Sequence, residues 1–125
     1  MDGEKLPYTT TFGGAFAKAD MHENRDPFVL PKRWHARKAK LDLDTPFNFV
    51  STADTIGGNS GSPVLDRAGE LVGLNFDRNR HGLVRNFVYT DVQARHISVH
   101  SRAVLEALRK LSDADGLVKE LMRRD

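Results

Sequence analysis

The sequence predicts a mainly β domain closed by C-terminal helices. From Pro46 to about residue 97, apolar residues fall into short runs separated by glycine, asparagine and aspartate clusters. Beyond residue 98 they recur instead at three- and four-residue intervals, the spacing of a helix face. Nowhere do strands alternate with long helices as a βαβ sheet requires. A chain of 125 residues is enough for one domain with a modest core.

Residues 1–45 carry Pro7, Gly13-Gly14, Pro27 and Pro31 as punctuation. They read as an irregular leader with short helices at 14–19 and 31–39, the second with proline in its first turn. The β portion, 46–97, opens with alternation over residues 47–51 and continues with a strand at 62–65. Arg67-Ala68-Gly69 then makes a hairpin turn into a strand at 70–76. A polar loop at 77–82 precedes a further strand candidate at 84–89. The helical portion, 98–125, places Val104, Leu105, Leu108 and Leu111 on one face of a helix at 100–111, capped by Ser98 or Ser101. A second helix is expected at 116–123, with Asp113 or Asp115 near its start and Arg123-Arg124 near its end, both favourable to the helix dipole. Its apolar residues from Leu117 to Met122 read as core.

Composition narrows the partners. Zero cysteines exclude disulfides and thiolate metal sites. The net charge of +2 is small, and the basic groups, at residues 32–40 and at Arg78, Arg80 and Arg85, have no aromatic stacking ladder beside them. A nucleic-acid partner is therefore disfavoured, and the first group reads as a solvated helix face. No apolar stretch approaches the ~20 residues of a membrane-spanning helix, and the start, MDGEKLPYTT, has no signal-peptide core.

The most informative stretch is residues 57–66, GGNSGSPVLD. Glycines at 57, 58 and 61 remove side chains around Ser60 and permit the φ > 0 backbone of a tight loop. Such a loop can aim two backbone N–H groups, those of Gly58 and Ser60, at a developing oxyanion. Pro63 then leads into the apolar pair Val64-Leu65. Ser60 is the candidate nucleophile. A serine nucleophile needs a base, usually histidine. None of His22, His35, His81, His96 and His100 sits in a recognisable catalytic motif, and Asp54 is assigned to a turn.

Residues 57–63 resemble the G-[DN]-S-G-[GS]-P loop of chymotrypsin-fold serine proteases, in which the reactive serine precedes glycine; the resemblance implies that Ser60 is that serine and that Ser62, before proline, is structural. Together with YTTTFGGAF, RWHARKAKLDLDTPFNF, PFNFVSTADTIGGNSGSPVL, LVGLNFDRN and ARHISVHSRAVLEAL, they resemble the C-terminal part of the bacterial serine dipeptidyl peptidases of the dipeptidyl-peptidase 7 and 11 type. The resemblance implies the C-terminal half-barrel of a chymotrypsin-like double β-barrel. The triad histidine and aspartate would lie on an N-terminal barrel, accompanied by an inserted helical domain. The isolated chain should then be nearly inert, and it should expose apolar surface and self-associate. The parent is expected to be a periplasmic or secreted homodimer that takes peptides with a free N-terminus and needs no cofactor or metal.

By the same resemblance, Asp77 binds the substrate's N-terminal ammonium. Arg78 sits where glycine accompanies hydrophobic substrates and arginine accompanies Asp or Glu before the cut bond. The chemistry agrees, since a guanidinium pairs bidentately with a carboxylate. Arg80, Arg85 and Arg95 would add positive field. The alternatives are a trypsin-like endopeptidase fragment, which needs no ammonium anchor, and a non-catalytic peptide- or partner-binding module. Without the resemblance, Asp77 and Arg78 would merely decorate a surface loop or pair with each other; the binding module would hold acidic peptides weakly.

Overall fold

Five antiparallel strands form one sheet, and helices pack against it in the computed structural model, which describes residues 6–123. The strands are β1 (Thr9–Thr11), β2 (Pro46–Ser51), β3 (Pro63–Leu65), β4 (Leu71–Arg78) and β5 (His96–His100), in the spatial order β1-β2-β5-β4-β3. The helices are α1 (Phe12–Met21), α2 (Lys32–Arg37), α3 (Ser101–Glu106) and α4 (Asp115–Leu121).

Helix α1 begins where Thr11 Oγ1 accepts the Gly14 N–H at 3.1 Å. The preceding N–H groups, those of Phe12 and Gly13, donate to the Thr45 and Leu43 carbonyls at 3.2 and 2.8 Å. The Gly13-Gly14 pair thus stands inside a helical first turn whose donors are satisfied by a neighbouring loop. Phe12, Phe16 and Ala19 recur on one face and are buried. Phe12 packs at a tilt against Phe47 and Trp34 at centroid distances of 4.9 and 5.6 Å, and Leu41, Ala103 and Leu111 complete the core. The stretch expected as an irregular leader therefore supplies an edge strand and the largest apolar side chains of the core. The first five residues of its MDGEKLPYTT start lie outside the described residues.

Helix α2 starts one residue after Pro31, which is its N-cap, and passes into a 3-10 turn at Lys38–Lys40. Its basic face is more than solvated. Arg33 and Arg37 both pair with Asp113, in the turn after α3, and Arg37 also donates to the Lys110 carbonyl. The Arg37 hydrogen bond holds the Asp113 carboxyl below its usual range. These groups are exposed, so the bridge contributes little stability of its own.

The hairpin from β3 to β4 turns on Asp66, whose Oδ1 accepts the N–H groups of Ala68 and Glu70, and on Gly69 at φ +81°. Strand β4 then lies between β3 and β5. Gly73 is needed there for close approach: a Cβ at this position would sit 2.5 Å from the Val99 carbonyl oxygen and 2.6 Å from Phe49 Cε1. Gly73→Ala is expected to destabilise the domain by about 1–3 kcal/mol through overpacking. A lower denaturation midpoint at unchanged m-value is the check.

Four sequence expectations are corrected. Residues 84–89 form no strand. They belong to a 3-10 run, Arg80–Asn86, and to the loop after it, because the Asn79 side chain caps the run at Gly82 N–H and Arg85 is drawn inward. Residues 96–100, divided between the β and helical portions, are one strand at the centre of the sheet. The helix then starts at Ser101 with His100 as its cap, not Ser98 or Ser101; His100 Nδ1 accepts the Arg102 N–H. It widens into a π turn at Ala107–Leu111. In α4 only Val118 is buried, while Leu117, Leu121 and Met122 stay about half exposed, so this face is not core. Arg124 of its basic end lies outside the described residues.

Candidate active site

Ser60 stands at the tip of the loop that enters β3, exposed to solvent. Gly58 and Gly61 flank it at φ +98° and +87°, where a Cβ would meet nothing within 4 Å. Glycine serves there for backbone conformation, not for space. The loop is stitched from within and from β4. Asn59 Oδ1 accepts the Ile56 N–H at 2.7 Å, and the Ser62 N–H donates to the Asn59 carbonyl at 3.0 Å. Gly61 N–H donates to the Asn75 carbonyl, Asn75 N–H to the Ser62 carbonyl, and Asn75 Nδ2 to the Asn59 carbonyl. Among the described residues, the Gly58 and Ser60 N–H groups donate to no protein acceptor, and the Ser60 hydroxyl has no hydrogen-bond partner. Ser62 takes part through its backbone.

A β-bulge in β4 places the next residues. Asn75 lies opposite Ser98 and Asp77 opposite Ile97, so Phe76 is the extra residue between them. Beyond the bulge, Asp77 and Arg78 meet the serine loop. A shallow cleft of about 110 Å³ is lined by Thr55, Ile56, Gly57, Ser60, Asn75, Phe76, Asp77 and Arg78. Ser60, Asp77 and Arg78 thus share one concavity, with Gly58 in the loop beside it.

The two charged residues do not pair with each other among the described residues. Asp77 is exposed and accepts the Arg78 backbone N–H at 2.7 Å. Arg78 Nη1 donates to neutral acceptors, the Thr55 carbonyl at 3.3 Å and Asn86 Oδ1 at 2.8 Å. Its stem runs over Gly82, where a Cβ would come within 3.1 Å.

Sequence reasoning missed the wall behind this cleft. Arg85 is buried at 5% exposure and donates to the carbonyls of Ala53, Thr90 and Ala94. Tyr89, whose ring lies 4.9 Å from the Arg85 guanidinium, donates its hydroxyl to the Thr52 carbonyl. Segment 52–55 has no secondary structure of its own and is tied down by Tyr89, Arg85 and Arg78. Arg85 is therefore an internal clamp and not a surface charge, and Arg95 likewise bonds nearby carbonyls.

Behind Asn75, His96 bridges Ser51 Oγ at 2.8 Å and Ser98 Oγ at 3.0 Å. Burial, with the Arg85 charge second, pushes its pKa below the usual histidine value and favours the neutral ring. The other four histidines are engaged elsewhere: His22 stacks on Phe28, His35 meets Asn24, His81 meets Arg80, and His100 caps α3. Among the described residues no histidine hydrogen-bonds Ser60, and no cluster of three or more His, Asp or Glu is arranged to hold a metal. None of the described helices is long and apolar enough to cross a membrane.

A family model described as Peptidase S46 matches residues 1–123. An Asp/Glu-specific dipeptidyl-peptidase of Shewanella putrefaciens is 45% identical over 80% of the chain and 14% of the relative's length. One from Porphyromonas endodontalis is 40% identical over 89% of the chain and 17% of the relative. The chain thus spans less than a fifth of the curated relatives that it matches. The crystal structure of Porphyromonas endodontalis DPP11 in complex with the dipeptide Arg-Asp superposes with a TM-score of 0.86 at 30% identity, covering 99% of this chain and 19% of that one.

Proposed function

Since the chain belongs to the Peptidase S46 family, we propose that it is the nucleophile-bearing part of a serine dipeptidyl peptidase that releases N-terminal dipeptides ending in Asp or Glu. The observation that carries this reading is the single cleft shared by an exposed serine, a carboxylate and a guanidinium, the two charges having no ion-pair partner in the cleft among the described residues.

In this mechanism Ser60 Oγ attacks the scissile carbonyl and gives its proton to a base. The Gly58 and Ser60 N–H groups stabilise the oxyanion. The leaving amine departs with a proton returned by the base, and water hydrolyses the acyl-enzyme. No metal or organic cofactor takes part. Base and orienting carboxylate come from outside residues 1–125, on a first barrel that pairs with this sheet as the second half of a chymotrypsin-like enzyme. This reading draws support from the engagement of all five histidines away from Ser60. The isolated chain is accordingly inert in this proposal.

Asp77 anchors the substrate ammonium and Arg78 the acidic side chain. A carboxylate held at fixed distance from the serine is what makes cleavage fall after the second residue. The exposed Leu83, Phe87, Val88 and Val92 form the surface that meets the remaining polypeptide or a second subunit. The parent enzyme works in the periplasm or outside the cell.

The test compares a free-amino peptide with its N-acetylated twin, using the full-length polypeptide that carries this chain. Dipeptides should appear from the free-amino peptide alone. Equal cleavage of the acetylated twin would establish an endopeptidase instead and remove the role of Asp77.

A further inference from the structure

The carbonyl of Asn59 accepts two hydrogen bonds from the protein, one from Ser62 N–H at 3.0 Å and one from Asn75 Nδ2 at 3.1 Å. A trans peptide is planar, and its C=O and N–H point in opposite directions. The other end of this peptide is the Ser60 N–H. Anchoring the carbonyl against β4 therefore turns that N–H away from the strand, and it meets no protein acceptor among the described residues. We propose that Asn75 is a positioning residue for the oxyanion hole: its side-chain amide holds the 59–60 peptide so that the Ser60 N–H faces the scissile carbonyl oxygen. The proposal rests on Ser60 as the nucleophile.

Three observations support it. First, Gly58 and Gly61 flank the peptide at positive φ and permit a wide backbone range, so its orientation depends on the hydrogen bonds at the Asn59 carbonyl, one of which comes from Asn75. Second, the sheet has no use for an asparagine here. The pairing of β4 with the loop runs through the Asn75 backbone N–H and C=O whatever the side chain, and asparagine is disfavoured in strands. Third, the side chain is buried at 6% exposure while its Oδ1 finds no hydrogen-bond partner. An unpaired buried carbonyl is unfavourable. The Nδ2 contact to Asn59 is the interaction that explains why the amide is retained.

Donors fixed in advance at the oxyanion position act on the transition state and spare ground-state binding. The test uses Asn75→Leu and Asn75→Ala in the full-length polypeptide; the two remove the same donor but differ in packing. Each variant is measured for kcat, KM and Tm. Each is also titrated with an acidic dipeptide boronate, whose tetrahedral adduct on Ser60 places an oxygen in the oxyanion site, and with the product dipeptide. In both variants kcat and boronate affinity should fall by about 10- to 100-fold, a part of what loss of a whole donor costs. KM and product affinity should stay within about twofold.

Unchanged boronate affinity in either folded variant would overturn the proposal. So would boronate and product affinities that fall together, since that describes a collapsed cleft and not a turned peptide. If Asn75→Leu does not fold, Asn75→Ala decides by the same criteria. Boronate binding that survives Ser60→Ala would instead refute the nucleophile reading, independently of Asn75.

Discussion

Ser60→Ala in the full-length enzyme is expected to lower kcat by roughly a millionfold, the scale seen when the nucleophile of a serine triad is lost. On the proposed mechanism the Ser60 hydroxyl forms the acyl bond, and nucleophile and base act as one unit. A residual rate above solution hydrolysis should survive, because the Gly58 and Ser60 N–H groups remain after the hydroxyl is gone. Ser62→Ala, two residues on, is the control. Ser62 joins the loop through its backbone N–H and C=O alone, so its variant should keep near-normal turnover. A fluorophosphonate should add one covalent mass to the wild type on the peptide bearing Ser60 and none to Ser60→Ala. Activity or labelling that persists in Ser60→Ala would remove this serine from the chemistry.

Arg78→Gly should redirect specificity. The guanidinium is held by the Thr55 carbonyl and Asn86 Oδ1, two neutral acceptors, and forms no ion pair among the described residues. A substrate carboxylate that enters the cleft would supply the missing counter-charge. Losing one charge-assisted contact costs about 1.5–3 kcal/mol, on the order of 10- to 150-fold in kcat/KM for Asp and Glu substrates. Hydrophobic substrates should improve, since they no longer bury an unpaired guanidinium. Asp77→Ala should harm every free-amino substrate alike, because the ammonium is common to all of them. An Arg78→Gly enzyme that weakened acidic and hydrophobic substrates equally would make Arg78 a structural residue.

The features legible in the sequence are those whose causes lie within a few residues. The serine loop was readable because Gly58 and Gly61 occupy left-handed backbone positions. The Asp66–Gly69 hairpin was readable because turn residues bond their own neighbours, whereas α1 was expected only as a short helix at 14–19 in an irregular leader, and its buried face of Phe12, Phe16 and Ala19 went unread. Asp77 and Arg78 were singled out through a family resemblance, and their chain position says nothing by itself about distance to Ser60. The bulge at Phe76 brings them into the cleft.

What tertiary structure alone decided is which polar groups become interior. His96 and Ser98 make β5 look like a polar lead into a helix. The strand exists because His96 bonds Ser51, 45 residues away, and because β2 and β4 cover both its edges. Val84 to Tyr89 has the composition of a strand, yet Arg85 bonds Ala53 across 32 residues and draws the segment into a helical turn. Asn75 reaches Asn59 across 16 residues and gives the serine loop its anchor. A buried amide, imidazole or guanidinium is stable only where partners wait for it. Periodicity and turn chemistry are written locally in the sequence. The partners of a buried polar group are assembled from distant segments, and so they appear only in the folded chain.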